Sequence, residues 1–178
     1  MKGKLRLVLW APLILFLVFL VMFASGLIRP SSRDIPSQMI GKPVPAFSLP
    51  EGAPGRAGLS DAAFRRGQPR LLNVFASWCV PCVTEVKTLQ VLRHSGVRVD
   101  GIAIRDRPVD LADFLARNGD PYERIGSDAE SKVQISLGSS GVPESFIVDG
   151  KGVIRYQHIG PIERSDVPMI LAKLEQAR

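Results

Sequence analysis

Apolar residues fall along the chain in two regimes. From Leu7 to Ile28 they run without a charge, bounded by Arg6 and Arg29. At about 1.5 Å of rise per residue, a helix of that length crosses a hydrocarbon layer of roughly 30 Å. Pro12 falls near one end, where a kink is tolerable, and Trp10 suits the interface. Lys2, Lys4 and Arg6 precede the run, so the excess of positive charge places the N-terminus in the cytoplasm. A cleaved signal peptide is the alternative. It wants a shorter apolar region, and Phe23-Ala24-Ser25-Gly26 offers a poor cleavage site, so an uncleaved anchor is the expectation. Either way the remainder of the chain is exported.

Beyond the apolar run, Arg29 to about Gln38 is polar and proline-containing, the pattern of a tether. From about Ile40 to Arg178, short apolar runs alternate with helical patterns, which predicts an α/β sheet. The division is therefore residues 1–28 as N-terminus and anchor, 29–39 as tether, and 40–178 as the folded domain. Val44 to Leu49 is an extended lead-in and Glu51 to Gly58 a loop rich in Gly and Pro. Ser60 to Phe64 has the pattern of a short capped helix. Arg70 to Ala76 is a buried strand. The helix that follows takes Val83, Val86, Leu89, Val91 and Leu92 as its apolar positions. Val97 to Ile104 is a second strand rich in β-branched residues. Asp110 caps a helix with the stripe Leu111, Phe114 and Leu115, ended by Asn118-Gly119. Asp128 opens a short helix through Val133 and Ile135. Ser145–Val148 and Val153–His158 flank Asp149-Gly150-Lys151-Gly152, a hairpin signal. A terminal helix from about Arg164 buries Val167, Ile170, Leu171 and Leu174.

Composition narrows the chemistry. A length of 178 residues suits one domain with a tail. The net charge of +6 is dispersed, with no basic run interleaved with aromatics, so no nucleic-acid partner is expected. The two cysteines, Cys79 and Cys82, stand close in sequence. A disulfide between them closes too short a loop to stabilise the fold much, so the pair reads as chemistry rather than as a staple.

Trp78-Cys79-Val80-Pro81-Cys82 sits where the strand gives way to the helix. Unpaired N–H groups and the positive end of the helix dipole gather there and stabilise a thiolate. The thiolate is the attacking species in disulfide exchange, and a low thiol pKa also makes a good leaving group. Cys79, before the first turn, is expected to be the exposed attacking sulfur. Cys82, one turn on, is expected to be buried and to resolve the mixed disulfide. Other uses of the pair fit less well. Zinc needs four ligands, and His94 and His158 lack ligand spacing to the cysteines, so no metal is expected. Covalent haem would need His at position 83, which is Val. A protease-like Cys–His site is disfavoured because no His lies near in sequence in a plausible strand context, though sequence distance alone leaves it open, and no Thr precedes either cysteine at the peroxidatic spacing. A purely structural disulfide stays open.

Several stretches resemble the thioredoxin fold, and specifically the CcmG/DsbE-type thiol:disulfide interchange proteins of cytochrome c maturation. Leu71-Leu72-Asn73-Val74-Phe75-Ala76-Ser77-Trp78-Cys79 is similar to that fold's strand into the active site. Gly141-Val142-Pro143-Glu144-Ser145-Phe146-Ile147-Val148-Asp149 resembles its cis-proline loop. Gly152–Gly160, the Asn118-Gly119-Asp120-Pro121-Tyr122 stretch and Gly41-Lys42-Pro43-Val44-Pro45-Ala46-Phe47 match the branch. The resemblance implies a thioredoxin-like mixed sheet flanked by helices, with one N-terminal transmembrane helix. It makes Pro143 a cis proline facing the two sulfurs, which leaves the Val142 backbone to pair with an extended substrate.

Asn73 stands where thioredoxin has a buried acid, and the resemblance moves the acidity to Glu85 and Glu144, which could relay protons for Cys82. An exposed helix face is the other reading for Glu85, and a loop surface for Glu144. One departure is Ser140, where the family often has Tyr, and it weakens any inference about substrate selectivity. The implied function is reduction of a disulfide in apocytochrome c before haem attachment, by a periplasmic domain anchored in a bacterial inner membrane. A membrane-embedded carrier of the DsbD or CcdA kind would re-reduce the pair, and no cofactor beyond the Cys79–Cys82 disulfide is implied. Three alternatives remain: oxidation instead of reduction, general exported disulfide exchange, and a non-catalytic apocytochrome-binding scaffold.

Overall fold

The computed structural model describes residues 2–28 and 38–178, with side chains from 10 to 25 in the first segment. The chain divides into two compact units, Met1–Pro36 and Ser37–Arg178. The first holds one α-helix, α1 (Lys2–Ile28), with Pro12 inside it. Its large apolar side chains from Trp10 to Phe23 are exposed. Among the described residues, no helix is long and apolar enough to cross a membrane. Residues 29–37 of the expected tether lie outside the described residues, as do the side chains of Lys2, Lys4 and Arg6.

The second unit is built on a five-stranded mixed sheet in the order β5-β4-β3-β6-β7. Its strands are β3 (Arg70–Phe75), β4 (Val99–Ile104), β5 (Arg124–Asp128), β6 (Glu144–Val148) and β7 (Ile154–Ile159). β3 lies parallel to β4, and β4 parallel to β5. β6 runs antiparallel to both β3 and β7. A two-stranded antiparallel pair, β1 (Ser48–Leu49) and β2 (Leu59–Ser60), precedes the sheet. Every residue of β3, β4 and β6 is buried, which is why these runs are apolar on both faces. This is the thioredoxin-like α/β architecture, with α2 (Val80–His94), α3 (Pro108–Asn118), α4 (Lys132–Ser136) and α5 (Val167–Gln176) around the sheet.

Several local readings are corrected. On α2 the valines expected in the core, Val83 and Val91, are exposed, and Cys82, Glu85, Val86, Thr88, Leu89 and Leu92 are buried instead. α3 starts from Arg107, and Asp110 sits in its first turn, held by the Arg107 guanidinium. Asp128 ends β5 and accepts the Gln134 N–H at 2.9 Å from outside α4. Ile135, expected inside, is exposed. Ser60 precedes a 3-10 turn over Asp61–Phe64 but makes no side-chain cap. The β6–β7 turn is held by Asp149, whose Oδ1 accepts the Lys151 and Val153 N–H groups, both at 2.9 Å.

Gly101, in the middle of β4, faces Asn73 across the β3–β4 pair. A Cβ there would meet Phe75 Cε1 at 2.7 Å and Tyr122 Cδ1 at 3.0 Å. Those two rings stack with centroids 4.5 Å apart, so neither has room to yield. Gly101→Ala is expected to cost about 1–3 kcal/mol by overpacking. A denaturant midpoint that does not move would show that the rings are looser than this.

Candidate active site

The cysteines stand at the C-terminal end of β3, where the strand hands over to α2. Cys79 is the N-cap of the helix in extended backbone geometry, and its Sγ accepts the Cys82 N–H at 3.2 Å. Pro81 occupies the first turn, where an N–H would have no intrahelical acceptor. The two sulfurs are joined in a disulfide, with the Cα atoms 5.3 Å apart. In this oxidised pair Cys82 is buried as expected, but Cys79 is only 4% exposed, against the expectation of an open attacking sulfur. What reaches solvent is the collar: Trp78 at 56%, Val80 at 75%, and Pro81.

The collar is fixed from β4. Trp78 Nε1 donates to the Arg105 carbonyl at 3.2 Å, and Ser77 donates from both N and Oγ to Asp106, each at 2.6 Å. Arg105 takes a positive φ of 47° to make this approach. Trp78 also lines a cleft of about 440 Å³ together with Arg105, Gln134, Ile135, Ser140 and Val142 among others. Val142 joins Pro143 through a cis peptide bond. Val74 pairs with Glu144, so the proline loop and the cysteines share one end of adjacent strands.

Beneath the cysteines lies a buried polar network. Glu85 is 1% exposed, which removes the exposed-face reading. Its Oε1 accepts from Asn73 Nδ2 at 3.0 Å and its Oε2 from the Ile162 N–H at 3.1 Å. Burial pushes its carboxyl up to about 7, against the pull of the Ile162 and Asn73 hydrogen bonds. Asn73 Nδ2 also donates to Ser145 Oγ at 3.0 Å, while Asn73 Oδ1 accepts the Tyr122 hydroxyl at 2.8 Å. This carboxyl, pushed toward neutrality, stands one helical turn past Cys82 on α2.

Glu144 is equally buried, so it is not a loop-surface residue. The structure does not bring it together with Glu85. Ser145, its neighbour on β6, belongs to the Asn73 network, and adjacent strand residues point to opposite faces. Glu144 instead accepts the Ser140 N–H at 3.0 Å and a hydrogen bond from Gln157. It braces the proline loop against β7. The sequence reading missed Tyr122, Ser145, Arg105 and Asp106 as site residues. No spacing signal marks them, because each reaches the site only through the sheet.

Comparison with known proteins gives a consistent result. The redoxin family model matches residues 39–174. The thiol:disulfide interchange protein DsbE of Yersinia pestis is 39% identical over 159 residues, covering 86% of this chain and 84% of that protein. The protein of the same name from Allochromatium vinosum is 41% identical over 155 residues, covering 85% and 83%. Among solved structures, a thiol:disulfide interchange protein of the thioredoxin family from Chlorobium tepidum superposes with a TM-score of 0.61 at 23% identity, covering 76% of this chain and 94% of that one.

Proposed function

Because the chain belongs to the redoxin family and, within it, to the DsbE-type thiol:disulfide interchange proteins, we propose that this thiol–disulfide oxidoreductase works as a reductant of apocytochrome c in the periplasm. The observation that carries the chemistry is Cys79 at the N-cap of α2, with the Cys82 N–H on its sulfur. In the reduced pair, that N–H and the helix dipole favour a Cys79 thiolate. The thiolate attacks one sulfur of a substrate disulfide and the other sulfur leaves. Cys82 then gives its proton to Glu85 and attacks Cys79, releasing the second substrate sulfur and leaving the Cys79–Cys82 disulfide. Two electrons pass from the pair to the substrate, and no further cofactor is required. Asn73 holds Glu85, Glu144 holds the proline loop, and Val142 beside Pro143 offers backbone for an extended substrate strand.

What supports an anchor is the sequence, in the uncharged run from Leu7 to Ile28. At about 1.5 Å of helical rise per residue, a run of that length is comparable to a hydrocarbon layer of roughly 30 Å. The anchor would keep the domain near a membrane-embedded thiol carrier of the DsbD or CcdA kind, which restores the reduced pair.

The test is the equilibrium potential of the pair against glutathione. A reductant is expected near the thioredoxin range, about −270 mV, and a value near −120 mV, as for the oxidase DsbA, would reverse the proposed direction. In the same assay, a disulfide peptide carrying Cys-x-x-Cys-His is expected to be reduced faster than one lacking the motif. Equal rates would leave general disulfide exchange as the function.

A further inference from the structure

We propose that Tyr122 is a positioning residue for this exchange: its hydroxyl sets which way the Asn73 amide faces, and through it keeps Glu85 Oε1 on an N–H donor. The inference rests on Glu85 as the proton acceptor of Cys82.

The geometry leaves the amide one orientation. Tyr122 Oη donates to Asn73 Oδ1 at 2.8 Å, so the Nδ2 hydrogens must point at Glu85 Oε1 and Ser145 Oγ, each at 3.0 Å. The second carboxylate oxygen accepts a backbone N–H, which can only donate. Ionised Glu85 accepts both contacts on charged oxygens, whereas protonation weakens them and adds an O–H for which neither partner is an acceptor. Burial favours the acid and these donors favour the carboxylate, and the balance falls near neutrality.

Tyr122 is itself held rigidly. Its N–H donates to Asp120 Oδ1 at 2.9 Å and its carbonyl accepts from Arg93 at 3.2 Å. Its ring stacks on Phe75 over the space left at Gly101. Burial, then the charges of Glu85 and Asp120, hold the hydroxyl well above its ordinary value, so it keeps the proton it donates to Asn73 Oδ1. On its own helix the titratable group one turn before Glu85 is Cys82, and across β6 the titratable groups are His158 on β7 with Asp166 at 3.9 Å from it. His158 pairs with Ser145, and its ring lies 3.3 Å from the Pro161 carbonyl.

Removing the hydroxyl leaves Asn73 Oδ1 a buried acceptor with no donor. A half-turn of the amide then presents Oδ1 to Glu85, an arrangement that only the protonated carboxyl satisfies. Tyr122→Phe keeps the ring and is expected to raise the Glu85 titration.

The experiment uses the full chain in detergent, reduced and mixed with oxidised glutathione. Cys79 forms a mixed disulfide and expels one glutathione thiolate. Cys82, after losing its proton to Glu85, displaces the second glutathione and closes the Cys79–Cys82 disulfide. The rate of that second step is followed between pH 5.5 and 9. In the unmodified protein it is expected to rise through about pH 7. In Tyr122→Phe the midpoint moves up by about one unit, and the rate at pH 7 falls about fivefold. In Glu85→Gln the midpoint disappears, and adding Tyr122→Phe no longer alters the profile. A shift that persists in the Glu85→Gln background would overturn the inference.

The infrared carboxyl band of Glu85, titrated in both proteins, separates the inference from the reading beneath it. If Tyr122→Phe moves that band while Glu85→Gln leaves the rate profile unchanged, the positioning stands and Glu85 is not the base. If the band does not move, Tyr122 does not set the amide.

Discussion

Replacing Cys79 with serine is expected to abolish disulfide exchange, by at least about a thousandfold, because a serine hydroxyl cannot ionise at the helix N-cap as a thiol does. Cys82→Ser has a different outcome. Cys79 still attacks, but no thiol follows to displace it, so the chain accumulates as a mixed disulfide with its substrate. The contrast follows from the caps: only the Cys79 sulfur accepts the helix N–H. Incubation with a disulfide peptide, followed by mass measurement without reductant, reads both results. The Cys82→Ser chain should gain the mass of one peptide half, and the Cys79→Ser chain should gain nothing. Equal adducts on both variants would mean that the sulfurs are interchangeable, and the asymmetry drawn from the N-cap would fall. Because Cys79 is only 4% exposed in the disulfide, the reduced pair should also react faster with a small alkylating reagent than the oxidised pair does with a small thiol.

The strand–helix junction was legible because the apolar run ahead of Cys79 and the helical spacing after it lie side by side in sequence. The proline loop was legible only by resemblance. What failed on α2 failed for a physical reason. Binary patterning assigns Glu85 and Thr88 to solvent and Val83 and Val91 to the core, and the fold does the reverse because Cys82, Val86, Leu89 and Leu92 set the inner face and Glu85 lies on it at helical spacing. β5 escaped notice because Arg124–Asp128 is short and includes Gly126 and Ser127, which weakens its alternation. The separation of Glu144 from Glu85 needs the strand register, which the sequence does not set. Ser145 faces Asn73 across β3–β6, and strand parity then turns Glu144 away. Tyr122 could not be found this way, since its contact with Asn73 exists only once β4 and α3 have brought the loop after Asn118 back over β3.

At the opposite end of β3 from the cysteines, Arg70→Met is expected to destabilise the domain by about 3–5 kcal/mol. The Arg70 and Asp100 side chains are 1% and 0% exposed, and the guanidinium grips the carboxylate through Nε and Nη2. Its Nη2 also donates to Glu123 at 2.8 Å, and Glu123 is partly in solvent. Methionine fills the space of the arginine stem but leaves the Asp100 carboxylate buried, with Arg124 3.9 Å away as its remaining cation. Asp100→Asn should cost less, because Arg70 keeps its bond to Glu123. Replacing both, as Arg70→Met with Asp100→Leu, removes the uncompensated charge and should recover most of the loss. A fall in denaturant midpoint with an unchanged slope would assign the effect to stability rather than to a changed end state. If Arg70→Met costs under about 1 kcal/mol, the ion pair is not shielded from water as its burial implies. The potential of the cysteine pair should be unmoved in all three variants, since β3 separates the two sites by roughly 20 Å. Stability is thus concentrated at one end of the strand and the exchange chemistry at the other, where the carboxyl in the core titrates near neutrality.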